Sequence, residues 1–508
     1  MRNRFRRIIC VAHFIGRLLQ ILGILLLIPL AVVFARWEQS GEGMRTLAAF
    51  AIPAVLCFSV GTVLRIVFVA GTLDTAGSML LCALSWVFAS AFGAMPFAIA
   101  AELDYFNAYF EAVSGFTTTG ITMFADLEVL PYSILFWRSL AQWLGGIGIL
   151  SFFLFITYRG SGAHHIFGAE SHKIASSRPK PGLYNTLRVV WGIYLLFTVL
   201  CWSALVLEKM PIFDAICHTL TTVSTGGFSP YNASIGFYRL SGHPNFRLIE
   251  YTIALFMLLG GINFLVHYRV MTGDVRALWD NIEIRYWWRL IAGFVLIVLI
   301  DHLRRSGLLS AWFVEGKPVT WTDLEHGFRT GLFQVIAIIT STGYSTQDIG
   351  SGFFGAMSRQ LFLLMMVIGG CVGSTSGGFK VMRVAILNRL VRREVFKARV
   401  SDRASLELVI DGKPVPAEEV HRVTALFFAW LLLIIVGGGI TALWSSQSAL
   451  QSWSGMFSAV GNIGPCYIPV QEMIGLHWFV KVTYIIGMLA GRLEILPVLL
   501  LFSRKAWR

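Results

Sequence analysis

Thr117-Thr118-Thr119-Gly120-Ile121, Ser224-Thr225-Gly226-Gly227-Phe228, Thr340-Ser341-Thr342-Gly343-Tyr344 and Asn462-Ile463-Gly464-Pro465 are four versions of one phrase. The glycines Gly120, Gly227, Gly343 and Gly464 follow one another at spacings of 107, 116 and 121 residues. Each phrase comes after an apolar-aromatic stretch too short to cross a bilayer, at 105–116, 212–223, 326–339 and 449–460, and before a long apolar run. Stretches of that length suit re-entrant half-helices. A glycine in a Ser/Thr setting lets the backbone turn its carbonyls toward a common axis, and four such loops form a ring of oxygens that replaces a cation's water. One Ser/Thr-Gly loop alone is an ordinary turn; four at similar spacing in one hydropathy context are a repeat.

The composition agrees with a membrane setting. Of 508 residues, 56% are hydrophobic and 14% charged, too apolar for a soluble chain of this length. Ten runs are long enough to span: 17–35, 47–70, 78–100, 132–157, 187–207, 248–268, 287–301, 357–390, 421–444 and 478–503. The expected fold is an all-α polytopic membrane protein, with four pseudo-symmetric helix, pore-loop, helix repeats around one pore and two extra N-terminal transmembrane helices. Its units are an N-terminal extension over 1–72 and repeats over 73–160, 161–272, 273–400 and 401–508, the last with a preceding cytoplasmic loop. The first two repeats share Phe106-Asn-Ala108 and Phe213-Asp-Ala215, and Gly145-Gly146, Gly260-Gly261, Gly369-Gly370 and Ala490-Gly491 fall inside the second span of each.

The net charge of +13 follows topology rather than a nucleic-acid partner. Arg2, Arg4, Arg6 and Arg7 open the chain, a run from Lys380 to Arg403 follows the eighth span, and Arg504, Lys505 and Arg508 close it. Ten spans put all three clusters on one side, the cytoplasm. On the other side, 101–131 carries Glu102, Asp104, Glu111, Asp126 and Glu128 without Lys or Arg, either a cation-attracting mouth or a solvated acidic loop. The basic-then-apolar N-terminus lacks a small-x-small cleavage site and reads as the first membrane helix. The seven cysteines form neither a disulfide framework nor a CxxC metal pattern.

Main-chain carbonyls supply a dehydrated cation with oxygens and no fixed charge to trap it. The residues expected to line such a filter are Thr118, Thr119 and Gly120; Ser224, Thr225, Gly226 and Gly227; Ser341, Thr342 and Gly343; and Asn462, Ile463 and Gly464. A second feature, Gly369-Gly370-Cys371-Val372-Gly373-Ser374-Thr375-Ser376-Gly377-Gly378, carries five glycines in ten residues. Each costs a helix about 1 kcal/mol relative to alanine, so the eighth span is expected to break there. Irregular backbone at membrane depth is tolerated where protein or a watery cavity satisfies it, which suits a movable gate below the filter. The alternative is a close-packing Gly-rich helix. Arg492, with Glu494 nearby, lies within the last span and by default faces the protein interior or a cavity. There it is a barrier to cations or a structural ion pair.

These residues resemble the Trk/Ktr/HKT superfamily of cation transporters, and within it the TrkH-like membrane subunit of bacterial potassium uptake systems. The resemblance rests on the four loops, on Gly-Gly-Cys-Val-Gly-Ser-Thr-Ser-Gly-Gly-Phe-Lys at 369–380 and on Gly-Arg-Leu-Glu-Ile-Leu-Pro at 491–497, and covers essentially the whole chain. It implies K+ entry across the bacterial inner membrane through a pore in each subunit of a homodimer, with both termini cytoplasmic. It also implies an intramembrane gate at Gly370, Gly373, Ser374, Thr375, Ser376, Gly377 and Gly378, a pore arginine at Arg492, and cytosolic TrkA-like nucleotide-binding regulatory subunits on separate chains. Glycine at all four filter positions favours potassium, since sodium-selective plant members carry serine at the first. Cys466 departs from the family, which usually has glycine there.

No nucleotide site is expected in this chain. Gly350-Ser-Gly352-Phe-Phe-Gly355 fits GxGxxG, but no strand pattern leads into it, and no Walker motif is present. Enzyme activity is not expected either, because the adjacent His164-His165 in loop 158–186 has no metal-ligand spacing beyond Glu170. The competing function is a K+ symporter coupled to H+ or Na+, built on broken helices. Loop 401–419, with Asp411-Gly412 as a turn signal, is expected to fold as a small hairpin with a possible docking role.

Overall fold

In a computed structural model of the chain, residues 6–37, 41–148, 151, 183–307, 321–399 and 407–507 are described. The histidine pair at 164–165, the first five residues and most of the stretch joining the first two repeats lie outside them. Among the described residues six helices are long and apolar enough to cross a membrane: Arg7–Ala35, Met44–Val67, Thr75–Ala100, Asn185–Leu207, Ile282–Arg305 and Ala417–Trp444. They are the two N-terminal spans and the first span of each repeat.

Every second span differs from its sequence reading. Instead of one rod, 248–268 is Phe246–Gly260 and Phe264–Met271, bent by 102°. The run 357–390 is Ala356–Val367, an irregular segment and Val381–Lys397, and 478–503 is Trp478–Leu493 followed by Leu496–Leu501. In the first repeat the described helix Tyr132–Gly146 ends at its glycine pair. Hydropathy reports only how apolar a run is, so it passes over a break whose polar groups find partners inside the protein.

The short stretches are helices, two with the expected limits, the third starting five residues earlier, at Trp321, and the fourth ending one residue later, at Gly461. Pore helices Tyr105–Phe116, Ile212–Val223, Trp321–Ile339 and Ala449–Gly461 precede the four glycine phrases. Asp104 starts the first by accepting from the Phe106 and Asn107 N–H groups, and a Ser448/Gln451 capping box starts the fourth. In the N-terminal extension, a Cβ on Gly16 would lie 2.7 Å from the Gly61 carbonyl, and one on Gly23 would lie 2.8 Å from that of Ala54. The two helices are therefore antiparallel with their backbones in close contact, the usual way membrane helices gain packing without a hydrophobic drive. Ile52, Val55, Val63 and Ile66 remain exposed, as a lipid-facing surface requires. Arg7 donates to the Ala506 carbonyl, so the described ends of the chain lie together.

The only strands among the described residues, Val409–Ile410 and Lys413–Pro414, form the expected hairpin. Its turn residues Asp411 and Gly412 have φ of 46° and 77°, as a two-residue hairpin turn demands.

Candidate functional site

Each pore helix ends in the same way. Thr118, Thr225, Ser341 and Asn462 adopt left-handed φ of 55°, 52°, 53° and 54°. Their N–H groups bond three residues back, to Gly115, Thr222, Ile338 and Ala459. The next residue bonds five back: Thr119 to Ser114 at 2.8 Å, Gly226 to Thr221 at 2.8 Å, Thr342 to Ala337 at 2.9 Å and Ile463 to Ser458 at 3.0 Å. This pair of bonds is a Schellman closure of the helix C-terminus. It turns the loop's N–H groups back onto the helix and leaves its carbonyls free to face elsewhere.

The glycine that follows each closure also has positive φ, between 77° and 102°. A Cβ on Gly120 would lie 2.7 Å from the Gly226 carbonyl oxygen, on Gly227 1.8 Å from Thr342 O, on Gly343 1.7 Å from Ile463 O, and on Gly464 2.8 Å from Thr119 O. The contacts run from loop one to two, two to three, three to four and four back to one. Four carbonyls and four glycines thus close a ring in which no side chain fits. On one side of it opens a cavity of about 700 Å³ lined by all four glycines.

The acidic stretch 101–131 does not supply that cavity's charge. Its Glu102 pairs with Arg45, and Glu111 is fully buried against Arg138 at 2.8 Å, also accepting from the Met123 N–H. The charged residues lining the cavity are Arg138, Arg239 and Asp348. Cys466, half-buried, lines it too, and the Gly350–Gly355 segment is a run of turns at its edge.

Across the ring from the cavity lies the Gly-rich segment. Its two ends pair with each other, Gly369 N–H to Phe379 O and Phe379 N–H to Val367 O, so 370–378 is a closed loop. It seats in the break of the second repeat's second span. Cys371 N–H donates to Gly261 O, Thr375 N–H to Gly260 O, and Phe264 N–H to Gly373 O. Glu283 holds the loop's flanks by accepting from the N–H groups of Val372 and Met382.

The loop also meets the underside of the ring in every quadrant. Thr225 Oγ1 donates to Thr375 Oγ1 at 3.1 Å, and Gly377 N–H donates to Ser341 Oγ at 2.7 Å. The Asn462 side chain packs on Gly377, where a Cβ would come within 2.7 Å. In the first quadrant Arg492 makes the link, donating to Thr118 Oγ1 at 3.2 Å and Thr375 O at 2.7 Å. Its other arm bonds the Gly145 and Gly146 carbonyls, the negative end of helix Tyr132–Gly146. Glu494 pairs with Arg383.

A family model described as TrkH, a cation transport protein, matches residues 46–507. The chain belongs to the TrkH family. The Trk system potassium uptake protein TrkH of Salmonella typhimurium is 30% identical over 444 residues, 86% of this chain and 87% of that protein. The potassium uptake protein TrkG of Escherichia coli is 30% identical over 514 residues, 98% of each chain. The crystal structure of the potassium transporter TrkH from Vibrio parahaemolyticus superposes with a TM-score of 0.82 at 27% identity, covering 99% of this chain and all of that one.

In this TrkH-family chain the thirteen residues expected to line a filter lie at the four pore-helix ends and loops, and Arg492 lies beside the Gly-rich loop. Ser224 stands one step earlier than the others, at the helix end, with its Oγ on Thr221 O. The sequence reading missed Gln142, Glu283 and the paired glycines' role. A Cβ on Gly145 would meet Phe116 O at 1.8 Å, and one on Gly491 would meet Val460 O at 2.0 Å. In the first, second and fourth repeats the second span carries glycine where a pore-helix end leans on it, whereas Gly369 and Gly370 of the third face the Gly-rich loop. The repeat of the pair at one place in each unit was the available signal.

Proposed function

We propose that this chain is the potassium-conducting membrane subunit of a Trk-type uptake system, with selection at the four-glycine ring and gating by 370–378 and Arg492. The observation that carries the reading is the closed circuit of glycine-to-carbonyl contacts. A cation entering from the 700 Å³ vestibule sheds water and meets the carbonyls of Thr119, Gly226, Thr342 and Ile463, with four pore-helix C-termini adding negative potential. Below them the path is filled by the loop, and the Arg492 guanidinium opposes a cation there. Conduction then requires the loop to leave its seat.

In this reading the four repeats over 73–160, 161–272, 273–400 and 401–508 surround one pore, and 1–72 is an outer extension. The protein sits in the bacterial inner membrane as a homodimer with cytoplasmic termini. TrkA-like nucleotide-binding subunits dock on its basic cytoplasmic face, and the chain binds K+ in transit but no nucleotide. The broken second spans of the second, third and fourth repeats favour one alternative, a K+ symporter coupled to H+ or Na+, since discontinuous helices are how many transporters build a site.

Rb+ or K+ flux into proteoliposomes of the purified chain, under an imposed potential and with Na+ as competitor, tests both. Flux that follows the potential and resists Na+ is expected. Flux that stops without a proton or sodium gradient, at fixed stoichiometry, overturns the pore in favour of the symporter.

A further inference from the structure

The residue just before each ring glycine is β-branched in three loops, Thr119, Thr342 and Ile463, and glycine in the second, Gly226. Conformational freedom does not explain the exception, because Gly226 is not among the residues of positive φ. Space does. A Cβ on Gly226 would stand 2.4 Å from both Cδ and Oε1 of Gln142, a fully buried side chain on helix Tyr132–Gly146. Gln142 fills the vacancy and bonds the loop twice: Nε2 donates to the Gly226 carbonyl at 2.6 Å, and Oε1 accepts from the Phe228 N–H at 2.9 Å.

These two bonds straddle Gly227, so the amide is pinned to the backbone on both sides of a ring glycine. The first and third loops are held differently, by Thr117 Oγ1 to Thr119 Oγ1 and by Thr340 Oγ1 to Thr342 Oγ1, each at 2.7 Å. In the second loop a side chain from the neighbouring repeat does what a threonine does within its own loop. One consequence is specific to it: the Gly226 oxygen, which faces Gly120 across the ring, already accepts an amide N–H before any ion arrives. Its direction is fixed, and part of its acceptor capacity is taken.

Resting on the pore reading above, we infer that Gln142 is a positioning and specificity-determining residue of the second filter quadrant. It sets the reach of the Gly226 carbonyl, and through it the ring size that suits a larger, less strongly hydrated monovalent cation over a smaller one. Without it the carbonyl is free to tilt toward the axis and close around the smaller ion.

The test compares Gln142→Leu, which removes both bonds at similar bulk, Gln142→Glu, which keeps the acceptor for Phe228 but sets an oxygen against the Gly226 carbonyl, and the exchange Gln142→Ala with Gly226→Thr, which rebuilds the first and third loops' arrangement. The readout is the K+/Na+ permeability ratio in proteoliposomes, with folded protein checked by size-exclusion chromatography. The expected result is a roughly tenfold fall in the ratio for Leu, equivalent to about 1.4 kcal/mol, a larger fall for Glu, and recovery in the exchange. Ratios within about twofold of the unmodified chain in both single variants overturn the inference. Loss of folded protein in both also overturns it, leaving Gln142 a folding role alone. If neither the unmodified chain nor the same chain with 372–376 excised carries cation flux, the pore reading is what has failed.

Discussion

The filter loops and the Gly-rich loop are both irregular, glycine-bearing backbone at the centre of the protein, yet they satisfy their polar groups in opposite ways. The filter's N–H groups bond three and five residues back, each to its own pore helix. In the Gly-rich loop Ser374 N–H bonds within the loop, but the N–H groups of Cys371, Val372, Thr375 and Gly377 go to other elements: Gly261 O, Glu283, Gly260 O and Ser341 Oγ. A buried N–H left without a partner costs about 1–3 kcal/mol, so neither arrangement is free to dissolve in place. But the first closes each loop on its own pore helix, with Gln142 added in the second loop, whereas the second is a set of contacts between separate elements that, if the loop moves as proposed, are exchanged together for water. In the proposed reading, one region keeps its shape and the other is released.

The largest expected effects come from forcing a side chain into the fixed region. Gly227→Ala and Gly343→Ala place a Cβ within 1.8 Å of a backbone oxygen, at a φ that alanine resists. Potassium flux should fall by about 100-fold or more in both. Gly120 is less crowded, its nearest oxygen at 2.7 Å, so Gly120→Ser should keep flux while shifting permeability toward Na+. Equal losses at all three positions, or an unchanged K+/Na+ ratio in Gly120→Ser, count against the filter assignment.

For the Gly-rich loop, read as the gate, the expected sign is opposite. Because its neck is closed by the Gly369–Phe379 and Phe379–Val367 bonds, excision of 372–376 leaves the flanking helices joined. Flux should rise by about tenfold with the K+/Na+ ratio intact; a drop in the ratio would assign the loop to the filter. Arg492→Ala removes the link from the loop to Thr118 and to the helix end at Gly145 and Gly146, and a smaller rise, about fivefold, is expected in the same assay.

The same division explains what the sequence disclosed. The pore helices and ring glycines were legible because each is set by local chemistry: a short apolar run, then a polar phrase whose glycine must take positive φ. The five-glycine segment announced its own break through helix propensity. The breaks at Gly145-Gly146 and Gly260-Gly261 did not, since two glycines in an apolar run look the same whether a helix continues or a pore helix leans on it. Gln142 and Glu283 were invisible for a related reason. Each is a lone polar residue whose partner is a backbone group 84 or more residues away, and no spacing rule connects them. Nor did the sequence mark Thr118, Thr225, Ser341 and Asn462 as left-handed, because non-glycine residues take that conformation at a cost of roughly 1–2 kcal/mol.

That cost is borne at the boundary between the two regions, where the left-handed residues touch the loop or Arg492 with hydroxyl or amide side chains. Ser341 allows the two roles to be separated, with the smallest expected effects. Ser341→Ala loses the bond from Gly377 N–H and keeps the strained backbone; Ser341→Gly loses the same bond but relieves the strain. One hydrogen bond is worth about 1 kcal/mol, so both should raise flux by about fivefold or less through easier release of the loop. Their filters should diverge: the glycine variant should match or exceed the unmodified chain in thermal stability, and the alanine variant should fall below it. If both variants raise flux equally while stability splits, strain belongs to the ring and the hydroxyl to the gate. A rise confined to the glycine variant would instead show that the flexibility of the ring, and not the hold on the loop, limits passage at this level.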